Sequence, residues 1–341
     1  MRVRRVLRRL SAYLARDGIK GLAHFTAELI FWRLANARAI YRLWRWKKLI
    51  RESGAFGPWR EIDGVRFYLN AKDTGLSAEL AVEGVHEPRL TAALRQLLRP
   101  GMVVADVGAN IGYFALLAAR RVSPGGKVIA LEPFPESYCL LVKNVRANGL
   151  ANVVPLQVAA GDAARCATLH VYEKANWNRL GAPGPGVLGA VPVQVEALDI
   201  LLSAERRVDL VRMDVEGAEY EVLLGARGIL TRDLPYLVIE VHRQLLGEVS
   251  YRRLRELLLD LGYDEWFTWQ RWQEEIVWPA AAARILRFNA WLANECWIVG
   301  SSKKAGVRAG AQGARVSRVL ESWDCRLGQP ESLSEFFACS P

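Results

Sequence analysis

No run of 18 or more uncharged apolar residues occurs in the 341-residue chain, which excludes a conventional transmembrane helix. The nearest approach, residues 23–46, is interrupted by Glu28, Arg33, Arg38, Arg42 and Arg45. Cysteine is sparse: Cys139, Cys166, Cys296, Cys325 and Cys339 are scattered, odd in number and form no C-x-x-C pair. That pattern argues against a disulfide scaffold or a zinc site and favours a reducing compartment. There is no internal repeat and no Pro/Gly excess, so collagen-like and wholly disordered chains are also excluded. Acidic residues are nearly missing from the first 50 positions, which hold 13 Lys/Arg against Asp17 and Glu28 alone. That segment carries +11 of a whole-chain +10, leaving the other 291 residues at −1. A body so near neutrality offers no basic groove for nucleic acid.

What is present begins with an amphipathic, basic, helical extension. Val3, Leu7, Leu10 and Leu14 follow helical spacing, and Ile30, Leu34, Ala37, Tyr41 and Trp44 repeat it beside Arg38, Arg42 and Arg45. Arg16 and Asp17 cut short the apolar core of a secretory signal, while an Arg-rich, acid-poor start also resembles a transit peptide. With Trp32, Trp44 and Trp46, the segment suits an interfacial helix on an anionic membrane or a helix packed on the following domain; both readings stay open. The expected location is cytoplasmic, with peripheral attachment to the inner face of a membrane as the variant.

Four regions are expected: the extension at 1–53, a hairpin and helix at 54–100, a catalytic domain at 101–300 and a weakly ordered tail at 301–341. Asp63-Gly64 reads as a two-residue hairpin turn, and Pro88 opens a helix ending near Leu98. Beyond Gly101, apolar runs at 102–107, 127–131, 153–158, 208–213, 236–241 and 294–299 alternate with helical patterns at 112–121, 136–148, 217–229 and 250–262. Such alternation implies an α/β fold, a doubly wound, mainly parallel sheet of the Rossmann-like kind.

Polar residues collect at the strand ends. Val103-Val-Ala-Asp106-Val-Gly108-Ala-Asn110-Ile-Gly112 is an apolar strand running into a glycine-bearing turn that opens a helix. In open parallel sheets ligands bind at the carboxyl ends of strands. The turn lacks the G-x-G-x-x-G of dinucleotide sites, having Asp106 at the first glycine position and Ile111 at the third. Glu132 ends the second strand, where a carboxylate can accept from vicinal ribose hydroxyls. Gly161-Asp162 follows the third strand and could meet an exocyclic amine, or be a simple turn. Asp214-Val-Glu216-Gly-Ala-Glu219 follows the fourth, and Glu240-Val-His242 closes the fifth. Glu219 is expected on a solvated helix face, and His24, His86 and His170 as ordinary histidines. Trp266, Trp269, Trp272, Trp278, Trp291 and Trp297 read mainly as lid or core, with one or two available to stack on a sugar.

These motifs together, with Glu132-Pro-Phe-Pro-Glu, Asn144, Asn148-Gly149 and Ile239-Glu-Val-His, resemble the FkbM-type methyltransferases over about residues 84–300. That family belongs to the class I S-adenosylmethionine-dependent enzymes. The resemblance implies a seven-stranded sheet with an antiparallel last strand near Glu295, and methyl transfer to an oxygen of a sugar, lipid-linked saccharide or natural product. It implies that Gly108, Asn110 and Gly112 surround the methionyl part of S-adenosylmethionine, with Asp106 near its ammonium. Glu132 would hold the ribose, Asp162 would lie against the adenine, and Asp214, Glu240 and His242 would face the methyl and the acceptor. A divalent cation on those three is an alternative; a metal-free site with His242 as base is preferred. Two other functions remain beside O-methylation: amine methylation, and a membrane-docked cofactor-binding protein without turnover.

Overall fold

The computed structural model describes residues 26, 37, 40–53, 57–270 and 295–300. The tail at 301–341, most of the basic extension, and Trp272, Trp278 and Trp291 lie outside the described residues. Among the described residues no helix is long and apolar enough to cross a membrane.

Helix α1, residues 40–52, packs on the domain through one side. Trp46 is fully buried among Val65, Phe67 and Leu80, and Arg42 pairs with Glu83 at 3.1 Å. Ile40, Tyr41 and Trp44 are each more than half exposed. Strands β1 (Trp59–Ile62) and β2 (Val65–Tyr68) form the expected hairpin. Asp63 and Gly64 both take positive φ, +53° and +72°, the twist that a two-residue turn of this hand requires. Helices α2 (Leu76–Glu83) and α3 (Pro88–Leu97) lead into the main sheet, with Pro88 in the first turn where its missing N–H leaves no bond unmade.

The main sheet contains β3 (Val103–Val107), β4 (Lys127–Leu131), β5 (Val153–Leu156), β9 (Leu210–Met213), β10 (Tyr236–Val241), β11 (Glu265–Gln270) and β12 (Glu295–Gly300). Its order is β11-β12-β10-β9-β3-β4-β5. Neighbours from β5 to β10 pair in parallel, and β12 runs antiparallel to both β10 and β11. Successive side chains in a strand point to opposite faces, and the apolar residues divide accordingly. Val104, Val128, Leu210 and Val238 join one core with α3 and α4 (Tyr113–Val122). Ala105, Ile129, Val211 and Ile239 join the other, beneath α7 (Glu219–Leu224), α8 (Arg227–Asp233) and α9 (Arg243–Asp260). Asp106, Arg212 and Glu240 continue the first parity to the carboxyl ends, beside the point where strand order reverses between β3 and β9.

Three expectations are corrected. The third strand stops at Leu156, and the chain enters a second sheet of β6 (Ala159–Gly161), β8 (Gly189–Ala197) and β7 (Arg165–Val171). Val193 and Val195 alternate inward there onto Leu169 and Phe134, a period-2 pattern hidden by the glycines and prolines just before it. The helix expected at 217–229 is two, α7 and α8, parted where the Gly225 backbone lies against the Gly161 carbonyl. Helix α9 begins seven residues before the expected 250 and includes a non-helical Gly247.

Candidate active site

The β3–α4 turn is shaped by three consecutive reversals of φ: Gly108 at +81°, Asn110 at +51° and Gly112 at +93°. The N–H groups of Gly108 and Ala109 both donate to Leu131 O, at 3.0 and 2.8 Å, which ties the turn to the end of β4. Gly108 is required by packing as well as by φ, because a Cβ there would overlap the Asp214 carbonyl oxygen. Glu132, one residue beyond β4, accepts Asn110 N–H at Oε2 and Phe134 N–H at Oε1, each at 2.8 Å. Burial pushes its carboxyl up to about 7, against the pull of those two amides, with Asp106 and Asp214 adding repulsion.

Arg212, within β9, is the buried cation between Asp106 and Asp214. The β3–β9 register sets it beside Asp106. Its Nη1 lies 3.3 Å from Asp106 Oδ1 and donates to Gly108 O at 3.0 Å; its Nη2 meets Asp214 Oδ2 at 3.0 Å. The guanidinium also lies 4.5 Å over the Phe114 ring. Burial alone would lower its pKa; the two carboxylates outweigh that and hold it charged. Burial raises Asp106, with Arg212 opposing, and lifts Asp214 to about 6, helped by the repulsion of Glu240.

Four carboxylates surround His242. Its Nδ1 lies 2.7 Å from Glu219 Oε1, and its Nε2 lies 3.2 Å from Glu216, 3.7 Å from Glu240 and 3.8 Å from Asp214. Burial would lower its pKa, yet Glu216, Glu219 and Glu240 raise it well above the ordinary value. An imidazole titrating near 6.5, as the sequence reading had it, is therefore replaced by one held charged. Glu219 is wholly buried rather than solvated, because α7 starts so soon after β9 that its first residue faces inward. Asp214, Glu240 and His242 each offer one ligand atom, all within 4.8 Å of one another, and could hold a metal ion.

A cavity opens over these strand ends, walled by Gly108, Asn110, Glu132, Arg212, Asp214 and Glu216; Glu240 and His242 stand behind that wall. Asp162 is not brought to it: the side chain is exposed and paired with Arg165, because Gly161 leads into the second sheet. That sheet contributes Asn176, Asn178 and Arg179 instead. Asn176 Oδ1 and Asn178 Nδ2 are buried without a hydrogen-bond partner. The sequence carried no signal for them beyond an Asn-rich loop. His86, expected to be ordinary, also lines the cavity and sits between Glu79 Oε2 at 2.9 Å and Glu87 Oε1 at 3.1 Å. Burial works against its charge, but the two glutamates raise it to about 10.

S-adenosylmethionine presents hydroxyls, an ammonium and an exocyclic amine, all donors, toward its protein. The wall offers the carboxylates of Glu132, Asp214 and Glu216 as acceptors, and behind it Asp106 Oδ2 is buried without a partner. The donor set fits. The cleft lies at the strand-order reversal of a Rossmann-like sheet, where a nucleoside-bearing cofactor of this kind would be held.

A sequence profile described as the methyltransferase FkbM domain matches residues 106–265. Methyltransferase sdnD of Sordaria araneosa is 32% identical over 202 residues, covering 47% of this chain and 73% of that protein. The 31-O-demethyl-FK506 methyltransferase FkbM of Streptomyces tacrolimicus is 32% identical over 185 residues, 45% of this chain and 70% of that one. The crystal structure of methyltransferase FkbM from Methylobacillus flagellatus KT is 15% identical with a TM-score of 0.40, covering 61% of this chain and 50% of that chain. The chain belongs to the FkbM methyltransferase family, and so to the S-adenosylmethionine-dependent methyltransferases.

Proposed function

We propose that the chain transfers the methyl of S-adenosylmethionine to a hydroxyl oxygen of a saccharide, lipid-linked glycan or natural product. The observation that carries this is the row of acceptor oxygens at the carboxyl ends of β3, β4, β9 and β10. Asn176 and Asn178 support a hydroxyl-rich acceptor, since a carboxamide both donates and accepts. The cofactor supplies a methyl already activated on a sulfonium. The chain's part is to hold it by the Gly108–Gly112 turn, Asp106 and Glu132, and to present the acceptor beside Asp214. The O–C bond forms as the S–C bond breaks, its electron pair goes to sulfur, and the hydroxyl proton passes to Glu216. Glu240 and His242 act from behind as positioning groups, and Asp162 takes no part. Incubation with methyl-labelled cofactor and a panel of hydroxyl and amine acceptors tests the reading; label found only on nitrogen overturns O-transfer.

Cofactor affinity should depend on pH through Glu132. Ribose hydroxyls donate more strongly to the ionised carboxylate, so binding draws its proton off. Affinity for S-adenosylhomocysteine should thus fall as pH drops through about 7 and level off above it. Glu132→Gln has one acceptor oxygen for two amides and the ribose; it should weaken binding by about 1–3 kcal/mol and flatten the pH profile. Calorimetry showing wild-type affinity and profile in this variant would remove Glu132 from the cofactor site.

The same proposal sets the enzyme at the inner face of a membrane. Ile40, Tyr41 and Trp44 stand out from α1 beside exposed Arg45, Lys47 and Lys48, while Trp46 anchors the helix to the domain. Anionic vesicles should sediment the whole chain at low salt, and Tyr41→Ser with Trp44→Ser should release it without loss of folding. Equal sedimentation of both forms counts against this location.

A further inference from the structure

The Nδ1 hydrogen of His242 is fixed by Glu219, whatever Nε2 carries. Glu219, wholly buried, accepts Gly217 N–H at 2.9 Å and receives Nδ1 at 2.7 Å through the same oxygen. A carboxylate can only accept, so Nδ1 carries the hydrogen and Nε2 is left as the atom facing the other carboxylates. Nε2 is buried and makes no well-aligned hydrogen bond, its nearest oxygen being Glu216 Oε2 at 3.2 Å. Asp214 Oδ1 is likewise buried and unpartnered, because the other oxygen of that carboxylate is taken by Arg212. These two atoms and Glu240 Oε1 converge on one point, with 3.7 and 3.8 Å from Nε2 to the oxygens.

We propose that Asp214, Glu240 and His242 hold a hard divalent cation of the Mg²⁺ or Mn²⁺ class, which orients the acceptor hydroxyl; this rests on the methyl-transfer reading of the cavity. The proton that the charged imidazole carries on Nε2 can bond one carboxylate only, whereas a divalent cation would displace that proton to solvent and engage all three groups together. Octahedral ligands about 2.1 Å from such an ion stand about 3 Å apart, and the three atoms lie within 4.8 Å of one another, so they would draw in by less than about 2 Å. Two oxygens and one nitrogen leave positions for water and the acceptor, and an oxygen-rich set suits Mg²⁺ or Mn²⁺ better than a closed zinc site. Glu219 behind His242 is the carboxylate that holds a ligating imidazole in register. A hydroxyl on the ion becomes easier to deprotonate, and Glu216 on the cavity wall receives that proton.

Mn²⁺ alone is the probe, titrated into chelator-treated, desalted full-length protein and followed by electron paramagnetic resonance. One saturable site per chain is expected, with spin-echo modulation from one imidazole nitrogen. Asp214→Asn and Glu240→Gln should abolish it, and Glu219→Gln should weaken it about 10–100-fold. S-adenosylhomocysteine binding is measured on the same samples by calorimetry. No saturable Mn²⁺ site, no nitrogen modulation, or displacement of Mn²⁺ one for one by S-adenosylhomocysteine would overturn the metal assignment. If S-adenosylhomocysteine still binds when Mn²⁺ does not, the methyltransfer reading stands and only the cation falls; if neither binds, both fall.

Discussion

Arg212→Met should destabilise the protein by about 3–5 kcal/mol at neutral pH, a large share of an ordinary domain's stability. The guanidinium is buried to within 4% of full enclosure and serves three oxygens at once: Asp106, Asp214 and the Gly108 carbonyl. Methionine fills much of the same volume over Phe114 but supplies no donor, so two carboxylates are left in a low-dielectric cleft without their counter-ion. Much of the loss is then the cost of the stranded acids rather than the worth of the pair. Asp106→Asn in the same chain should therefore recover part of it, giving a coupling of about 1–3 kcal/mol in a double-mutant cycle. Urea unfolding of the four proteins measures this. A loss below about 1 kcal/mol for Arg212→Met, or strict additivity with Asp106→Asn, would mean that water reaches these carboxylates and the cleft is wetter than its burial implies.

Arg212 also shows where the sequence was legible and where it was not. A lone arginine inside Val208-Asp-Leu-Val-Arg-Met was a visible anomaly, but its partner became apparent only from the strand register that sets it opposite Asp106. The turn at 108–112 and the placement of Glu132 could be read directly, because both follow from local φ and from position at a strand end. Glu219 could not. Three residues past Glu216 on a helical pattern, it looked like a solvated position; burial came from the approach of β10's end to the first turn of α7, a tertiary fact. Asp162 failed for the same reason in reverse. Its strand end is real, but Gly161 belongs to the second sheet, which carries Asp162 away from the cavity and toward Arg165. The alternation of β8 was present in Val191, Val193 and Val195, and the Gly/Pro-rich run just before them masked it. His86 gave no sign of its glutamates, one on α2 seven residues back and the other its own neighbour.

Glu216→Gln should lower turnover by about 10²–10⁴-fold while leaving affinity for S-adenosylhomocysteine nearly unchanged. Three groups near the acceptor side could take the hydroxyl proton, and geometry separates them. His242 stands behind the cavity wall with Nδ1 committed to Glu219. Asp214 is on the wall, but one oxygen is bound to Arg212 and the other faces Nε2 of His242 and Glu240. Glu216 lines the cavity and is not bound to Arg212, although its Oε2 lies 3.2 Å from His242 Nε2; its backbone is held at φ +50°, next to Gly217 at +101°. A non-glycine residue kept in that left-handed region is strained by about 1–3 kcal/mol, as is common at functional turns. Glutamine keeps the shape and tolerates the same backbone, so the variant removes the proton-accepting oxygen together with the charge facing His242 Nε2. Single-turnover transfer to the labelled acceptor, with bound Mn²⁺ and bound cofactor measured on the same protein, separates chemistry from binding. A fall of less than about tenfold would move the proton to water or to Asp214. Equal losses in turnover and in cofactor affinity would instead make Glu216 a structural part of the Asp214–Gly217 turn.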